Sequence, residues 1–494
     1  MKMTRRSFLK AASVLSLSSA GCMHMPKPAP GEWVNDVHSQ LNRTRVNRVV
    51  PVDSLDALRH TIKSARQERR SISIAGGRHA MGGQQFGTDS ILLDTRGLSR
   101  ILNFDSKAGT VEVETGIQWP KLVAELVKRS SSASASWGIS QKQTGADRLS
   151  IGGALGANVH GRGLRLKPFV ADIESFVVLD AEGHAHTCDR QQNTEWFRLA
   201  VGGYGLFGAI YSVKLRLVPR HKVRRVVEIK TIDELMPAFD QRIADGFAYG
   251  DFQYSIDEKS EEDFFRRGVF SCYQPVDANT PEPAEHKRLT TDNWANLLHL
   301  AHTDRRRVFE EYSRYYLSTS GQVYWSDTHQ MSNYTDDYHS ALDQQLGRPR
   351  GTEMITEIYV PRERLIDFMA EAGNDFRKNN VEVIYGTIRL IQKDDETFLA
   401  WAKQGYACVV FNLHVEHTGA GVERSAESFR RLIDMAIRRG GSYYLTYHRH
   451  ATREQVLACY PQFPDFLRLK RKYDPEERFQ SDWYRHYREM FRTA

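Results

Sequence analysis

Between residues 45 and 220, short apolar runs alternate with amphipathic stretches, a rhythm that predicts strands and helices in turn. Arg48-Val49-Val50-Pro51 reads as a strand, Ser54 stands where an N-cap belongs before a helix through Arg66, and Ser71-Ile72-Ser73-Ile74 is the next strand. Ile91 to Asp94 and Thr110 to Glu114 follow as strands, then a helix from Trp119 to Lys128, then strands from Ile173 to Leu179 and from Ala209 to Leu217. After about residue 220 the texture changes. Charged helical stretches such as Thr303 to Tyr315 mix with strands such as Thr356 to Val360 and Ala407 to His414. The pattern predicts an α+β chain with a first domain over 45–220, a second over 221–454, and an aromatic, basic segment over 455–494 that returns to the first. No internal repeat interrupts it.

Composition narrows the class. The 494 residues are 40% hydrophobic and 26% charged, as in globular proteins and unlike disordered or fibrous ones. No internal run approaches the roughly 18 to 20 apolar residues that a membrane span needs. The formal charge of +7 owes four of its positive charges to Lys2, Arg5, Arg6 and Lys10, in an opening segment of 22 residues without an acid. Without that segment the charge falls to +3. Such a balance carries no case for a nucleic-acid partner, and none is expected.

The opening segment has chemistry of its own. Thr4-Arg5-Arg6-Ser7-Phe8-Leu9-Lys10, followed by a moderately apolar stretch, matches the bacterial twin-arginine signal, so export to the periplasm by the twin-arginine machinery is expected. Ser19-Ala20-Gly21-Cys22 resembles a lipoprotein processing site, with Ser19 where leucine is usual. Cys22 could carry an acyl anchor to a membrane face, or the segment could be cut elsewhere. Residues 23–44, with Pro26, Pro28 and Pro30, read as a linker. Cys188, Cys272, Cys408 and Cys459 are scattered, with no CxxC pair and no histidine at metal-ligand spacing, so no metal site is expected.

Three glycine-rich blocks carry the candidate chemistry. Ile74-Ala75-Gly76-Gly77-Arg78-His79-Ala80-Met81-Gly82-Gly83-Gln84 follows a strand, and its glycines let backbone N–H groups approach an anion closely. Asp147 to Gly163 contains Ser150-Ile151-Gly152-Gly153 and Asn158-Val159-His160-Gly161-Arg162-Gly163, while Leu199 to Ile210 contains Gly202-Gly203 and Gly208-Ala209-Ile210. Each alone could be an ordinary tight turn. The first lacks both the GxGxxG order of a dinucleotide fold and the lysine of a P-loop.

Together, in this order, the blocks resemble the vanillyl-alcohol oxidase superfamily of FAD enzymes. The resemblance implies a p-cresol methylhydroxylase-type FAD-binding domain of two α/β subdomains, beside a substrate domain with an antiparallel sheet covered by helices. It implies FAD contacts at Gly76, Gly77, Arg78, His79, Ala80, Gly82, Gly83 and Gln84, at Ser150, Gly152, Gly153, Asn158, His160, Gly161 and Gly163, and at Gly208 and Ile210. His79 falls where many members tether the flavin covalently, although Arg78 departs from the usual preceding glycine. No cysteine stands where doubly linked members carry their second tether.

Val159-His160-Gly161-Arg162-Gly163 is similar to the sugar-oxidising branch of aldonolactone and alditol oxidases. Cytokinin dehydrogenases place a catalytic acid where Gly145 stands, and Asp147 falls two residues later. Glu357-Ile358-Tyr359-Val360-Pro361, Arg389, Tyr460-Pro461 and Asp474-Pro475 follow the order of alditol oxidases and decaprenylphosphoryl-ribose oxidases, and Phe479 to Trp483 resembles the tail of the latter. Their flavin-facing lysine is replaced by Tyr447, beside His448 and His450, and a one-residue slip would put His448 there. The resemblance makes Glu357, Arg389, Tyr447, His448 and His450 the catalytic candidates. Without it, Glu357 and Arg389 read as paired surface charges and Tyr443 to His450 as an aromatic strand.

The implied activity is oxidation of a CH–OH group of a sugar, polyol or lactone by hydride transfer to flavin N5. His448 or Tyr447 would take the proton, and Glu357 and Arg389 would orient hydroxyls. Reoxidation would fall to oxygen or a periplasmic electron carrier, and bulky Val159 argues against oxygen. Two alternatives remain: oxidation of an amine or aromatic alcohol in a pocket lined by Tyr312, Tyr315, Tyr316, Tyr324, Trp325 and Tyr334, or a non-catalytic binding protein that keeps a flavin fold.

Overall fold

The computed structural model describes residues 31–130, 136–332 and 338–492. The twin-arginine segment, Cys22, the first part of the linker and Tyr334 lie outside these residues. From Gly31 onward the chain packs as one unit.

A small parallel sheet carries the first glycine loop. Strand β1 (Arg48–Pro51) leads into helix α1 (Leu55–Gln67), and strands β2 (Ile72–Ala75) and β3 (Ile91–Asp94) complete the sheet in the order β1-β3-β2. Ser54 caps α1 as its sequence predicts, its Oγ accepting from Ala57 N–H at 3.2 Å. Leu58, Thr61, Ile62 and Ala65 form the buried stripe of α1, at the spacing of one helical face. β3 is central and buried along its whole length, the environment that an unbroken Ile-Leu-Leu run demands.

A five-stranded antiparallel sheet follows. Its strands are β4 (Ile101–Asp105), β5 (Thr110–Glu114), β6 (Ile173–Leu179), β7 (Ala185–Asp189) and β8 (Ala209–Arg216), in the order β7-β6-β8-β5-β4. Helices α2 (Trp119–Ser130) and α3 (Ile151–Ala157) lie between β5 and β6 in the chain. Ser150 caps α3 by accepting from Gly153 N–H at 3.2 Å, and Asn158 closes it at φ 48°, a left-handed conformation that asparagine tolerates.

The rest of the chain builds one eight-stranded antiparallel sheet from β9 (Lys222–Thr231), β10 (Tyr249–Tyr254), β11 (Arg267–Val276), β12 (Val323–Trp325), β13 (Gly351–Pro361), β14 (Val383–Ile391), β15 (Tyr406–Glu416) and β16 (Ser442–Tyr443). Their order is β12-β9-β11-β10-β14-β15-β13-β16. Helices α4 (Thr291–Thr303), α5 (Arg305–Ser318), α6 (Leu365–Asn379) and α7 (Gly419–Ile437) accompany the sheet, so the architecture is α+β. The helical stretch expected from Thr303 to Tyr315 is α5, which begins at Arg305 because Asp304 leaves helical geometry and caps it by accepting from Arg307 N–H at 3.1 Å. The aromatic strand expected from Tyr443 onward ends at Tyr443 itself.

Alternation along β13 decides which side chains reach the site. Glu353, Ile355 and Glu357 point into a large cavity, while Thr356 points the other way, toward the layer of α7. The C-terminal segment lies along β2: Ile72 N–H donates to Arg478 O at 2.6 Å and Gln480 N–H to Ile72 O at 2.8 Å. No helix among the described residues is long and apolar enough to cross a membrane.

Candidate active site

The glycine blocks and the inner face of the large sheet enclose a cavity of about 920 Å³. Gly76, Gly77, Arg78, His79, Ala80 and Gln84 line it from the first block. Ser150, Gly152, Gly153 and His160 line it from the second, and Gly208 and Ile210 from the third. The first two blocks touch. A Cβ on Gly76 would collide with Ser150 Oγ, and one on Gly77 with the Arg148 carbonyl, so only glycine permits the approach. Gly156 of α3 also faces the cavity, and a Cβ there would meet no atom within 4 Å. A long wall of bare backbone beside Arg78, whose guanidinium lies 3.4 Å from Asp94, fits a flat ring system carrying a pyrophosphate.

Five of the expected cofactor contacts do not line this cavity. Gly82 donates its N–H to Gln84 Oε1 at 3.1 Å, and Gly83 turns the loop at φ 79°. Asn158 is consumed by the scaffold, its Nδ2 donating to Asp394 Oδ2 at 2.9 Å and its Oδ1 accepting from Val170 N–H at 2.9 Å. A Cβ on Gly161 would lie 2.7 Å from the Lys142 carbonyl, and one on Gly163 would strike Leu166. These two glycines let protein segments pack on one another.

His79 lines the cavity with its Nδ1 2.7 Å from Nε2 of His38, a partner that no sequence spacing announced. Burial, and then the neighbouring His38, push the His79 pKa down to about 3, and burial takes that of His38 to about 4. Both rings are therefore neutral near pH 7 and share one proton between the facing nitrogens.

The catalytic candidates separate. Glu357, Arg389 and Tyr447 line the cavity, whereas His448 and His450 do not. His448 lies flat on Phe429 of α7 with ring centroids 4.3 Å apart, its Nε2 3.1 Å from Thr356 Oγ1, and His450 stacks on the same phenyl at 5.9 Å. Successive side chains diverge here, so Tyr447 takes the inner position and the histidines join the layer behind the sheet. The structure thus places His448, expected with Tyr447 as the base, and the catalytic candidate His450 outside the cavity.

Glu357 is the centre of the network. His160 Nε2 lies 2.8 Å from its Oε2, to which Tyr359 OH donates at 3.0 Å, and Tyr447 OH donates to Oε1 at 2.8 Å. Cys408 Sγ completes the group at 3.7 Å. Burial drives the Glu357 carboxyl upward, but His160, Arg389 and Tyr447 overcome it and hold the pKa well below the usual carboxylate range. His160 Nδ1 faces the Gly161 carbonyl at 3.0 Å while Nε2 faces the carboxylate. Burial, with Glu357 second, raises Tyr447 far above the ordinary phenol range, leaving it a neutral donor and not a base.

Arg389 is a buried cation of the cavity wall. Its Nη2 donates to Thr144 Oγ1, while its Nε has no hydrogen-bond partner among the described residues. Asp147, close in sequence to the place of the cytokinin-dehydrogenase acid, pairs with the fully buried Lys142 at 2.7 Å. It is therefore not a free base. The tyrosines Tyr312, Tyr315, Tyr316 and Tyr324, with Trp325, line the far part of the same cavity.

Residues 46–189 match the family described as FAD binding domain. The chain thus carries an FAD-binding domain of the p-cresol methylhydroxylase type and is an FAD-dependent oxidoreductase. It is distantly homologous to aldonolactone oxidases and dehydrogenases. It is 24% identical over 402 residues to L-gulono-1,4-lactone dehydrogenase of Mycobacterium tuberculosis, covering 81% of this chain and 86% of the relative. L-gulonolactone oxidase of Bos taurus is 25% identical over 191 residues, 38% of this chain and 41% of that protein. L-galactono-1,4-lactone dehydrogenase 2, mitochondrial, of Oryza sativa is 24% identical over 206 residues, 41% of this chain and 34% of that protein. The third glycine block lies beyond the family match, and geometry alone brings Gly208 and Ile210 to the cavity.

Proposed function

We propose that this protein oxidises a CH–OH group of a sugar-derived lactone or polyol. The observation that carries the reading is the Glu357–His160–Tyr447 network, set with Arg389 in the wall of the cavity that the glycine blocks enclose. FAD, when bound, supplies the acceptor for the substrate's hydride. Glu357 Oε1, directly or through the Tyr447 hydroxyl, accepts the proton that the alcohol gives up. His160 Nε2 faces the carboxylate, and Arg389 adds a positive charge to the cavity wall. The relatives named for gulonolactone and galactonolactone support a 1,4-lactone as substrate.

His79 is the residue we assign to a covalent flavin tether: it is neutral, lines the cavity, and His38 at 2.7 Å can take up its ring proton. Export by the twin-arginine machinery belongs to the same reading, since that pathway carries folded, cofactor-loaded proteins. Replacing Arg5 and Arg6 by lysine should leave the protein in the cytoplasm, and unchanged periplasmic recovery would refute this route.

The aromatic wall favours a second reading, in which an aromatic alcohol or amine is the substrate. Anaerobic bleaching of the flavin absorbance decides between them, with L-gulono- and L-galactono-1,4-lactone, polyols, aldoses, aromatic alcohols and amines as probes. Bleaching by a lactone or polyol is the expected result. Bleaching by aromatic substrates alone selects the second reading. An inert flavin across the panel refutes oxidation of either class.

A further inference from the structure

Behind the cavity wall at Glu353 lies a second cluster that the oxidation chemistry does not use. Glu353 lies on β13 four residues before Glu357, on the same face, about 13 Å along the strand. Its cross-strand partner on β15 is His414, and His302 comes from the last turn of α4. One ligand atom from each of the three lies within 4.8 Å of the others.

His302 Nε2 and Glu353 Oε1 form an ion pair at 3.3 Å, and among the described residues neither atom makes a well-directed hydrogen bond, nor does either ring nitrogen of His414. Buried polar atoms without partners are rare and costly. A separation of 3.3 Å is what two ligands of one tetrahedral zinc-type ion show when each lies about 2.0–2.1 Å from it. The other carboxylate oxygen, Oε2, is taken by His339 Nε2, which orients Oε1 toward the two imidazoles. Gly351 makes the arrangement possible, because a Cβ there would run into the His414 ring. The cluster His160–Glu357–Cys408 has similar composition, but Glu357 already accepts three hydrogen bonds from His160, Tyr359 and Tyr447.

We propose that His302, His414 and Glu353 bind a divalent transition-metal ion of the zinc class beside the cavity, which Glu353 lines, with a fourth position for water or a ligand oxygen. Two imidazoles and one carboxylate select zinc-like ions over magnesium or calcium, which prefer all-oxygen shells. Arg348 Nη1 lies 3.1 Å from His302 Nδ1, and an arginine can only donate. Loading the ion through Nε2 moves the ring proton to Nδ1, so this contact opens as the metal binds. The guanidinium keeps its bond to Asp343, where Nε donates to Oδ1 at 2.6 Å. The site stands whether or not the substrate is a lactone.

The test uses flavin-loaded, full-length protein, stripped with a chelator and titrated with Zn²⁺ alone. One equivalent should bind, and X-ray absorption at the zinc edge should show only nitrogen and oxygen neighbours near 2.0–2.1 Å. Glu353→Gln and His414→Gln should each weaken binding at least tenfold while flavin content is unchanged. Arg348→Gln should tighten it by removing the competitor for His302. No stoichiometric zinc overturns the proposal, and so does sulfur near 2.3 Å, which would place the ion at Cys408. Affinity indifferent to all three substitutions overturns it as well. Should the Glu353 and His414 variants fail to load flavin, the wild-type stoichiometry and ligand shell decide alone.

Discussion

Tyr447 donates its phenolic proton to Glu357 Oε1 at 2.8 Å, joining a turn after β16 to the middle of β13 across 90 residues of sequence. The contact puts a neutral donor on a carboxylate whose other oxygen is shared by His160 and Tyr359. At the position where the resemblance to alditol oxidases implied a lysine, this chain has a hydroxyl, and Arg389 on β14 is a buried cation in the same cavity wall.

Glu357→Gln keeps the shape of the side chain and removes its capacity to accept a proton. Turnover with a dye acceptor should fall about 10²–10⁴-fold, the range for loss of a general base, with flavin content intact. Tyr447→Phe removes one hydrogen bond to a charged group and should cost about 10–100-fold. A Glu357→Gln protein with wild-type kcat would remove Glu357 from the chemistry.

His79→Ala should abolish retention of yellow colour in acid-precipitated protein, which the wild type should keep. His38→Ala should slow the tethering without affecting the initial binding of flavin. Complete release of flavin from acid-treated wild type would show that no covalent bond forms.

His448 is buried in the layer behind the sheet, so His448→Ala should act on stability and leave catalysis alone. Losing its packing on Phe429 should cost about 2–4 kcal/mol, seen as a lower Tm, while kcat stays within about threefold. A large loss of kcat at unchanged Tm would return His448 to the active site.

Val159 is almost fully buried and lines the cavity directly before His160. If its branched side chain hinders oxygen, Val159→Ala should raise peroxide formation relative to dye reduction. An unchanged ratio would mean that access is limited elsewhere.

Acid should destabilise the fold well before its carboxylates titrate. Burial lowers His38, His450 and His486 to about 4 in the folded protein, against 6.5 for the free side chain. A depressed folded pKa means that the unfolded chain binds more protons below 6.5. The stability from these residues is therefore complete above pH 6.5 and declines as the pH falls toward 4. Tm measured from pH 8 to pH 4.5 should be flat at first and then drop, and a Tm that rises on acidification would contradict the assignment of neutral buried rings.

Much of the FAD-binding half was legible because its signals are local. Ser54 before α1, the Ile-Leu-Leu run of β3 and the order of three glycine blocks are each set by neighbours a few residues apart, where backbone sterics and periodicity act. Glu357 and Arg389 could be named from the order of motifs, but not their partners. Which of Tyr447 and His448 faces the cavity depends on the turn after β16. The pairing of His38 with His79, of His160 with Glu357, and of His302 with Glu353 and His414 depends on strand register and packing between segments tens to hundreds of residues apart. Spacing along a chain records contacts within one helix or one loop. A cluster assembled across β13, β15 and α4 leaves no such spacing, so only the tertiary structure could bring it together.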